Sequence, residues 1–228
     1  MKTQVIVVAG GAGKRLNAKI PKALMRLWSR PLVGYSLEIF NAHPDIDGII
    51  LVGVKKHLKA FERAAKNCTK VHAVVPGGAS RSDSVKCGLK ELSGDTDIVL
   101  VHDAARPFVD GAMIDRLLAA LKKSKTAIVG VPVKFTVKKV NPQTLNIQET
   151  PARDLLWEAQ TPQGFHKDVL LKAHARRGKQ QATDDAVLAE RMGQKVKMVM
   201  GDYRNIKVTT PEDLVLAHQL LSGRTRKS

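Results

Sequence analysis

The residues of this sequence best suited to chemistry begin in a glycine-rich loop, VIVVAGGAGKRLNAKIPK, between Val5 and Lys22. Four apolar residues of high β propensity run directly into the segment AGGAG, residues 9–13, and the cations Lys14, Arg15 and Lys22 follow it. Because glycine has no Cβ, the backbone N–H groups of such a turn can approach an anion closely. The residue types are therefore those that suit a polyphosphate.

Two familiar phosphate-binding patterns do not fit this loop. The dinucleotide fingerprint GxGxxG fails because GAGKR is followed by Leu16, and the P-loop fails because Lys14 is followed by Arg15, where serine or threonine is required. A purely structural turn between a strand and a helix is the alternative. The spacing of Arg15 and Lys22, seven residues apart with Pro21 before the second, favours an anion site.

A carboxylate follows a second buried strand, in the segment VLVHDAARP. At the end of a strand, Asp103 can hold a divalent cation through water or position a hydroxyl group. The alternatives are a helix cap or an ion partner for Arg106. His102 is interpreted as a structural histidine whose ring nitrogens are satisfied, since the histidines show no metal-ligand spacing.

Three further segments carry polar residues at sites that suit a ligand. Arg81 and Ser84 lie in the predicted first turn of a helix, where N–H groups favour anions or base edges, with simple capping and a surface arginine as the alternative. Thr183 precedes two aspartates that could equally be only a helix N-terminus. Lys207 lies in the apolar segment NIKV, and a buried lysine is costly unless it is paired, which favours a ligand contact.

Composition narrows the class of protein. The chain has 228 residues, of which 43% are hydrophobic, which fits one large α/β domain with an ordinary core. Its net charge of +17 favours anionic partners such as phosphate metabolites, with a solvated basic surface as the alternative for most lysines. Cys68 and Cys87 form no CxxC motif, which argues against a disulfide scaffold and predicts a reducing, cytoplasmic location.

Other classes of protein are disfavoured by motifs that the sequence lacks. The first predicted strand begins a few residues after Met1, which leaves no room for a targeting peptide, and no apolar run approaches the ~18 residues of a membrane span. No GxSxG motif supports a serine nucleophile. Aromatic residues are not interleaved with the basic ones, so no nucleic-acid partner is expected. The lack of a long apolar run likewise predicts no membrane partner.

The elements that must position these residues alternate between strand and helix. Near-continuous apolar strands predict a Rossmann-like, mostly parallel twisted sheet covered by helices on both faces. Ligands bind beyond the carboxyl ends of the strands in such sheets, which places Gly10–Arg15, Gly77–Ser84 and Asp103–Arg106 around one crevice. The predicted strands are 5–8, 48–54, 71–75, 97–101, 126–133 and 196–200, with an extended piece at 206–208. The predicted helices are 32–42, 57–66, one after Ser80, one around 114–121, 169–175, 184–192 and 211–221.

The pattern changes between residues 134 and 152. The segment FTVKKVNPQTLNIQE alternates around a polar turn, which predicts a β-hairpin. Because an isolated hairpin is marginally stable, this arm is expected to lean on another part of the assembly, such as a second subunit. No linker divides the chain, so residues 1–228 are predicted to form a single domain with the arm at residues 134–152.

Taken together, these segments resemble the 2-C-methyl-D-erythritol 4-phosphate cytidylyltransferases from Val5 to about Ala217. The matching pieces are AGGAGKRL, PKAL, GGASRSDSV, VHDAARPFV, LLWEAQTPQGF, TDDAVLAE and NIKVTTPEDL. The glycine loop with PK is shared by many sugar-phosphate nucleotidyltransferases, whereas the later pieces in this order are much more specific. The resemblance implies a Rossmann-like domain with a protruding arm, working as a homodimer. It also implies transfer of CMP from CTP to methylerythritol phosphate, with Mg²⁺, in the non-mevalonate route to isoprenoids.

The resemblance also implies roles for individual residues. Arg15 and Lys22 match cations that stabilise a pentavalent transition state, and Lys207 joins them as a catalytic cation. The implied nucleotide site comprises Ala9, Gly10, Gly11, Ala12, Gly13, Gly78, Arg81, Ser84 and Asp103, with Asp103 also near the metal. The implied acceptor site comprises Asp103, Arg106, Thr136, Arg153, Thr183 and Lys207, of which Thr136 and Arg153 reach from the arm into the partner subunit's site.

The sequence departs from the family pattern at four positions, Ala23, Ala79, Phe135 and Arg204, which bear on base selectivity and on the arm. Three alternatives stay open at this point. One is a cytidylyltransferase for another polyol phosphate such as ribitol 5-phosphate, and another is a basic nucleic-acid-binding protein. The third, a catalytically silent homologue, is disfavoured by Arg15, Lys22, Asp103 and Lys207.

Overall fold

The computed structural model describes residues 1–11, 20–178 and 182–225. The strands are β1 (Thr3–Val8), β2 (Arg26–Leu27), β3 (Arg30–Pro31), β4 (Gly48–Gly53), β5 (Val71–Pro76), β6 (Ile98–Asp103), β7 (Thr126–Pro132), β8 (Lys139–Val140), β9 (Ile147–Glu149), β10 (Trp157–His166) and β11 (Lys197–Met200). The α-helices are α1 (Leu32–Ala42), α2 (Leu58–Ala65), α3 (Arg81–Leu89), α4 (Gly111–Leu121), α5 (Lys167–Ala175), α6 (Asp185–Glu190) and α7 (Pro211–Thr225).

Seven strands form the main sheet, in the order β11-β7-β10-β6-β1-β4-β5. All neighbouring pairs are parallel except those of β10, which runs antiparallel to both β6 and β7. The predicted Rossmann-like, mostly parallel sheet is therefore confirmed. The pairing of β10 with β7 is interrupted between Ala159 and Gln163, so the intervening residues leave the regular ladder.

Helices cover the two faces of this sheet, as the apolar strands require. Successive residues of a strand point to opposite faces, so Val5 and Val7 pack with α1 and α4, while Ile6 packs with α3 and α5. The strands β1, β4 and β6 are buried along almost their whole length. Burial on both faces fixes the positions at which these strands end, and the polar loops begin there.

The predicted hairpin at the arm is present but short. β8 and β9 pair over two and three residues, and the chain leaves and re-enters the body where Val133 N–H donates to Leu156 O at 3.0 Å. Large apolar side chains on the arm and at its base lie in the open: Phe135 is 81% exposed and Leu155 is 80% exposed. An apolar surface of this kind on an arm is typical of a segment that contacts another chain.

None of the helices in the described part of the chain is long and apolar enough to span a membrane.

Candidate functional site

A crevice opens at the carboxyl ends of β1 and β6, where the sequence predicts it. Its cavity of about 220 Å³ is lined by residues from the three predicted segments and from the region after Pro21. The described lining residues are Val8, Ala9, Gly10, Gly11, Lys22, Ala23, Gly78, Ser80, Arg81, Ser84, Asp103, Ala104, Ala105 and Lys207. Ala12, Gly13 and Arg15 lie outside the described residues, so their assignments stay predictions.

One wall of this cavity is the N-terminus of α3. Ser80 Oγ accepts a hydrogen bond from Asp83 N–H at 3.0 Å, and the carboxylate of Asp83 accepts from Ser80 N–H, so the predicted capping box is confirmed. Ser84 Oγ donates to Ser80 O at 2.9 Å and accepts from Gly78 N–H at 3.2 Å. A Cβ on Gly78 would lie 2.4 Å from Asp83 Cβ, so glycine is required for this close approach. The hydroxyl of Ser84 thus holds the loop in place.

The floor of the crevice is an ion-pair network around Asp103. Arg81 Nε lies 2.8 Å from Asp103 Oδ1, and Lys207 Nζ lies 2.6 Å from Oδ2. Asp103 is therefore paired with these two cations, and Arg106 is not among its hydrogen-bond partners in the described part of the chain. The alternative of a surface arginine is wrong for Arg81, because two carboxylates hold it against the sheet.

This pairing determines the charge that Asp103 carries. Burial alone would raise the pKa of its carboxyl group, but the charges of Arg81 and Lys207 and their hydrogen bonds hold the pKa well below the usual range. Burial would lower the pKa of Arg81, but the charges of Asp185 and Asp103 and their hydrogen bonds raise it. Asp103 is consequently a carboxylate at every physiological pH, which suits it to bind cations and hydroxyl groups and excludes it as a general acid.

Lys207 reaches Asp103 from a segment that the sequence analysis described incorrectly. The segment around Lys207 forms no strand, and the Lys207 side chain is 40% exposed, so it is not the buried lysine that the apolar neighbours suggested. Its backbone is fixed nonetheless: Val208 N–H donates to Ala105 O at 2.8 Å, and buried Asn205 donates from Nδ2 to Thr161 O at 2.9 Å. These anchors present the ammonium group to Asp103.

His102 is a structural residue, as predicted. Its Nε2 lies 3.1 Å from Arg106 O, which can only accept, so Nε2 carries the proton. Nδ1 then accepts from the hydroxyl of Thr161 at 3.1 Å, and Thr161 Oγ1 in turn accepts from Asp103 N–H. Burial lowers the pKa of His102 to about 4, so the ring is neutral near pH 7. The chain of hydrogen bonds ties β10 to the end of β6.

A second cavity, of about 210 Å³, adjoins the first. Its described lining residues are Arg81, Asp103, Arg106, Ala159, Gln160, Thr161, Gln163, Thr183, Asp184 and Lys207. Three of these residues, Arg81, Asp103 and Lys207, also line the first cavity. The second cavity therefore brings two of the predicted acceptor-site residues, Arg106 and Thr183, next to the three residues that line both cavities.

The comparisons with known proteins agree with this geometry. The family model for IspD, 2-C-methyl-D-erythritol 4-phosphate cytidylyltransferase, matches residues 3–223. The chain belongs to this family. It is 41% identical over 227 residues to the family enzyme of Clostridioides difficile strain 630, covering 97% of this chain and 94% of that one. It is 42% identical over 224 residues to the enzyme of Desulforamulus reducens, covering 96% and 95%.

Solved structures of family members share the fold as well as the sequence. The crystal structure of 4-diphosphocytidyl-2C-methyl-D-erythritol synthase from Anaerococcus prevotii superposes with a TM-score of 0.86 at 30% identity, covering 97% of this chain and 98% of that chain. The 2-C-methyl-D-erythritol 4-phosphate cytidylyltransferase of Thermus thermophilus gives 0.78 at 32% identity, covering 96% and 98%. The resemblance stated from the sequence is confirmed, and the chain is a cytidylyltransferase of the IspD family.

The second cavity shows what the sequence analysis of this IspD-family chain missed. Gln160 and Thr161 line the cavity from the interrupted part of β10, and Gln163 lines it from the point where the pairing resumes. They appeared in the sequence only as part of the matching piece AQTPQGF, with no role assigned. The available signal was the presence of three uncharged polar residues in one short piece of the sequence, because polar groups that become buried need partners.

The arm residues Thr136 and Arg153 lie apart from both cavities. Neither is among the described lining residues of the chain's own site. Thr136 and Arg153 are both exposed, and Arg153 Nη1 donates to Lys134 O at 3.4 Å within the base of the arm. Their predicted role in a partner subunit's site is consistent with this position and stays a prediction.

The donor set of the crevice suits a divalent cation that is held mainly by its substrate. Asp103 is the only carboxylate among the described residues that line the first cavity, and its two oxygens already contact Arg81 and Lys207. Mg²⁺ in phosphate-transfer sites is typically bound by one or two carboxylates together with substrate phosphates and water. Asp103 fits that pattern, since the nucleotide would supply most of the ligands.

A group of possible metal ligands elsewhere has a simpler explanation. Oxygens of Asp45 and Asp115 lie within 4.8 Å of His43 ring nitrogens and of one another. However, Asp45 N–H donates to His43 Nδ1 at 3.2 Å, so Nε2 carries the ring proton and donates to Asp115 at 3.2 Å. Both ring nitrogens are thus engaged, and the group is a hydrogen-bonded corner of the fold.

Proposed function

We propose that this crevice transfers CMP from CTP to 2-C-methyl-D-erythritol 4-phosphate and releases pyrophosphate, the reaction of its family in the non-mevalonate route to isoprenoids. The observation that carries the proposal is the wall shared by the two cavities. Arg81, Asp103 and Lys207 line both, so a group bound in one cavity meets a group bound in the other at these residues. A transfer reaction needs two adjoining sites of this kind.

The first cavity suits the nucleotide. Backbone at Ala9, Gly10 and Gly11 borders it on one side, and Gly78 with the N-terminus of α3 borders it on the other. Unpaired N–H groups and the helix dipole at an α-helix N-terminus favour the negative charge of phosphates. Ala12 and Gly13 complete the loop in this proposal, and Ser84 contributes by holding Gly78.

The cations supply the catalysis. The attacking group is an oxygen of the acceptor's phosphate monoester, which is already ionised near neutral pH, so no strong general base is needed. It forms a bond to the α-phosphorus of CTP while the bond to the pyrophosphate oxygen breaks, and pyrophosphate leaves with the electron pair. Lys22, Lys207 and Arg15 neutralise the charge on the transferring group, and the two cavities hold the reactants in line.

Asp103 would hold Mg²⁺ together with the CTP phosphates. When bound, the ion neutralises phosphate charge and orients the triphosphate. Because the pKa of Asp103 is held low by Arg81 and Lys207, its carboxylate does not have to lose a proton before the metal binds.

The second cavity suits the acceptor. Arg106 donates from Nη1 to Asn205 O at 2.6 Å and from Nη2 to Ala159 O at 3.2 Å, which fixes the guanidinium at the edge of this cavity. Arg106, Thr183 and Lys207 thus offer two cations and a hydroxyl group to a phosphorylated polyol. Asp103 would accept a hydrogen bond from an acceptor or ribose hydroxyl.

The arm at residues 134–152 completes a homodimer in this proposal. Its exposed apolar residues would pack on the partner subunit, and Thr136 and Arg153 would reach the partner's acceptor site. A single domain spanning residues 1–228 and a cytoplasmic location, which suits the unpaired Cys68 and Cys87, belong to the same proposal.

One assay tests the function directly. Pyrophosphate release is measured with each of the four nucleoside triphosphates, using methylerythritol phosphate or ribitol 5-phosphate as the acceptor. We expect release with CTP and methylerythritol phosphate, at a rate well above that of every other pair. Absence of release with CTP and either acceptor would overturn the proposal, and a preference for ribitol 5-phosphate would reassign the acceptor.

A further inference from the structure

Arg81 is held from two sides by carboxylates of different elements. Its Nε donates to Asp103 Oδ1 at 2.8 Å, and its Nη1 donates to Asp185 Oδ2 at 2.7 Å. Asp103 ends β6 at the floor of the crevice, whereas Asp185 is the first residue of α6 and its side chain is only 1% exposed. Asp185 therefore lies behind the wall that the two cavities share.

The second oxygen of Asp185 is occupied by a buried histidine. His174 on α5 lies with Nε2 2.9 Å from Asp185 Oδ1, and its side chain is 2% exposed. Burial alone would raise the pKa of Asp185, but the hydrogen bond from His174 and the charge of Arg81 hold the pKa below the usual value. Asp185 is thus a buried anion with a defined partner on each oxygen.

The backbone of Asp185 is fixed as firmly as its side chain. Gln163 Oε1 on β10 accepts from the N–H groups of Asp185 and Ala186 at 3.1 and 3.3 Å. Gln163 Nε2 donates to Asp184, which in turn caps α6 at Val187 N–H. The carboxylate of Asp185 consequently has one position relative to the sheet.

The buried ion pair between Arg81 and Asp185 is expected to orient the guanidinium more than it stabilises the fold. Burying an ion pair costs desolvation free energy that the attraction between the charges often fails to exceed. The geometric consequence is specific, because an arginine facing a single carboxylate tends to bind both of its oxygens with a two-pronged fork. Asp185 keeps Nη1 of Arg81 away from Asp103, so Arg81 contacts Oδ1 alone and Oδ2 stays with Lys207.

We propose that Asp185 and His174 are positioning residues, which fix Arg81. They thereby leave one oxygen of Asp103 to Lys207, and to a bound ligand when Lys207 moves away. This inference rests on the proposed function, since it assigns Asp103 and Lys207 to the reaction. Without Asp185, Arg81 would turn to bind both oxygens of Asp103, and Lys207 would lose its partner and its position.

The first test replaces Asp185 by a residue of the same shape without charge. We expect Asp185→Asn to lower kcat about 10- to 100-fold, the size of effect that a misplacement of about 1 Å causes. The KM values for CTP and the acceptor should change less than kcat, because Asp185 lies behind the cavities. Glu190→Gln, at the exposed end of the same helix, is the matched control and should retain kcat. An unchanged kcat for Asp185→Asn overturns the inference.

A second measurement does not depend on activity. The Arg81 Nε–H group gives a side-chain signal in ¹⁵N NMR spectra, and its chemical shift reports the hydrogen-bond partners of the guanidinium. In Asp185→Asn we expect this signal to shift, because Arg81 then binds both oxygens of Asp103, while the backbone amides of α5 and α6 keep their exchange protection. If the wild-type chain releases no pyrophosphate, the proposed function fails; if the Arg81 signal is unchanged in the variant, only the positioning role fails.

Replacements of His174 test whether this residue acts as a hydrogen-bond donor or only fills space. Gln and Leu have similar size, but only Gln can donate a hydrogen bond to Asp185. We expect His174→Gln to keep kcat within about 3-fold of wild type and His174→Leu to lose about 10-fold, both measured well below the unfolding midpoint. Equal kcat values for the two folded variants would show that His174 only fills space, which would overturn its positioning role.

Discussion

The ammonium group of Lys207 lies 2.6 Å from Oδ2 of Asp103, although the two residues are 104 positions apart. The two residues differ in solvent exposure: the Asp103 side chain is 10% exposed and that of Lys207 is 40% exposed. The lysine can therefore leave while the aspartate stays. We infer that Lys207 rests on Asp103 in the free enzyme and moves to the phosphates once the nucleotide and its cation are bound.

Replacing Lys207 should harm catalysis far more than folding. In Lys207→Met the side chain keeps its length but loses its charge, and we expect kcat to fall about 100-fold, as when one charge-stabilising donor is removed. Because Asp103 keeps Arg81 as an ion partner and the lysine end of the pair is open to water, the unfolding free energy should change little. Steady-state pyrophosphate release and urea unfolding measure both quantities.

The control for that substitution is Lys197→Met, on the exposed part of β11. It removes the same charge from the same protein and should retain full kcat. If Lys197→Met lost as much activity as Lys207→Met, the effect would come from the net charge of the chain, and the local role of Lys207 would be wrong.

Lys22 is expected to act on the same transferring group from the opposite wall. It lines the first cavity directly after Pro21, at the start of a short 3₁₀ helix. We predict that Lys22→Ala lowers kcat by about 100-fold or more with little change in fold. Circular dichroism and unfolding midpoints establish the fold, and Lys55→Ala, an exposed lysine in another 3₁₀ helix, serves as the control. A folded Lys22→Ala variant with normal turnover would exclude the role.

The sequence predicts the residues of this site that local signals position, but not those that tertiary contacts position. Asp103 and Arg81 could be placed because they follow a strand end and a capping box, which are local signals. Lys207 was predicted to be buried in an extended piece because its neighbours are apolar, yet those neighbours are buried against a loop and α7, which is a tertiary contact. The partners of Arg81 could not be predicted either, since Asp185 comes from 104 residues away.

The main sheet shows the same division between local and tertiary signals. The parallel strands could be predicted from their apolar runs, but the antiparallel insertion of β10 between β6 and β7 could not. Side chains alternate between the two faces of the sheet in parallel and antiparallel strands alike, so the sequence of a strand does not indicate its direction. The interruption of β10 that brings Gln160 and Thr161 to the second cavity is likewise a property of pairing.

His102 should make stability depend on pH. Burial lowers its pKa to about 4 in the folded protein, against about 6.5 in the unfolded chain. Between these values the unfolded chain binds one more proton, so the free energy of unfolding should fall as the pH falls from 6.5 to 4. The slope is about 1.4 kcal/mol per pH unit, or roughly 3 kcal/mol across the window.

Urea unfolding at several pH values between 7 and 4.5 measures this slope. The lowered pKa values of Asp103 and Asp185 add little above about pH 5, because the stability from these carboxyl groups is lost as the unfolded chain takes up protons below that pH. In His102→Gln the contribution of this ring should vanish, although the variant is less stable at pH 7. Exposed His72, replaced by Gln, is the control and should leave the slope as it is in wild type. An equal slope in His102→Gln and wild type would refute the assignment.

The arm offers the most decisive test of the proposed homodimer. If Arg153 acts in the partner subunit's site while Lys22 acts in its own chain's site, then Arg153→Ala and Lys22→Ala inactivate different halves of one composite site. In a mixed dimer of the two variants, one site carries both substitutions and the other carries neither. Random exchange of subunits makes half of the dimers mixed, so about a quarter of the wild-type kcat should return.

The experiment mixes the two purified variants, allows the subunits to exchange, and follows pyrophosphate release with time. Recovery should require exchange and should be absent in Leu155→Asp versions of both variants, because a charge on this exposed apolar residue at the base of the arm would disfavour its burial in an interface. Sedimentation velocity should show those versions as monomers. A mixture that stays inactive, although sedimentation and mass spectrometry show mixed dimers, would place Arg153 and Lys22 in the same chain's site, and the arm would then contribute assembly alone.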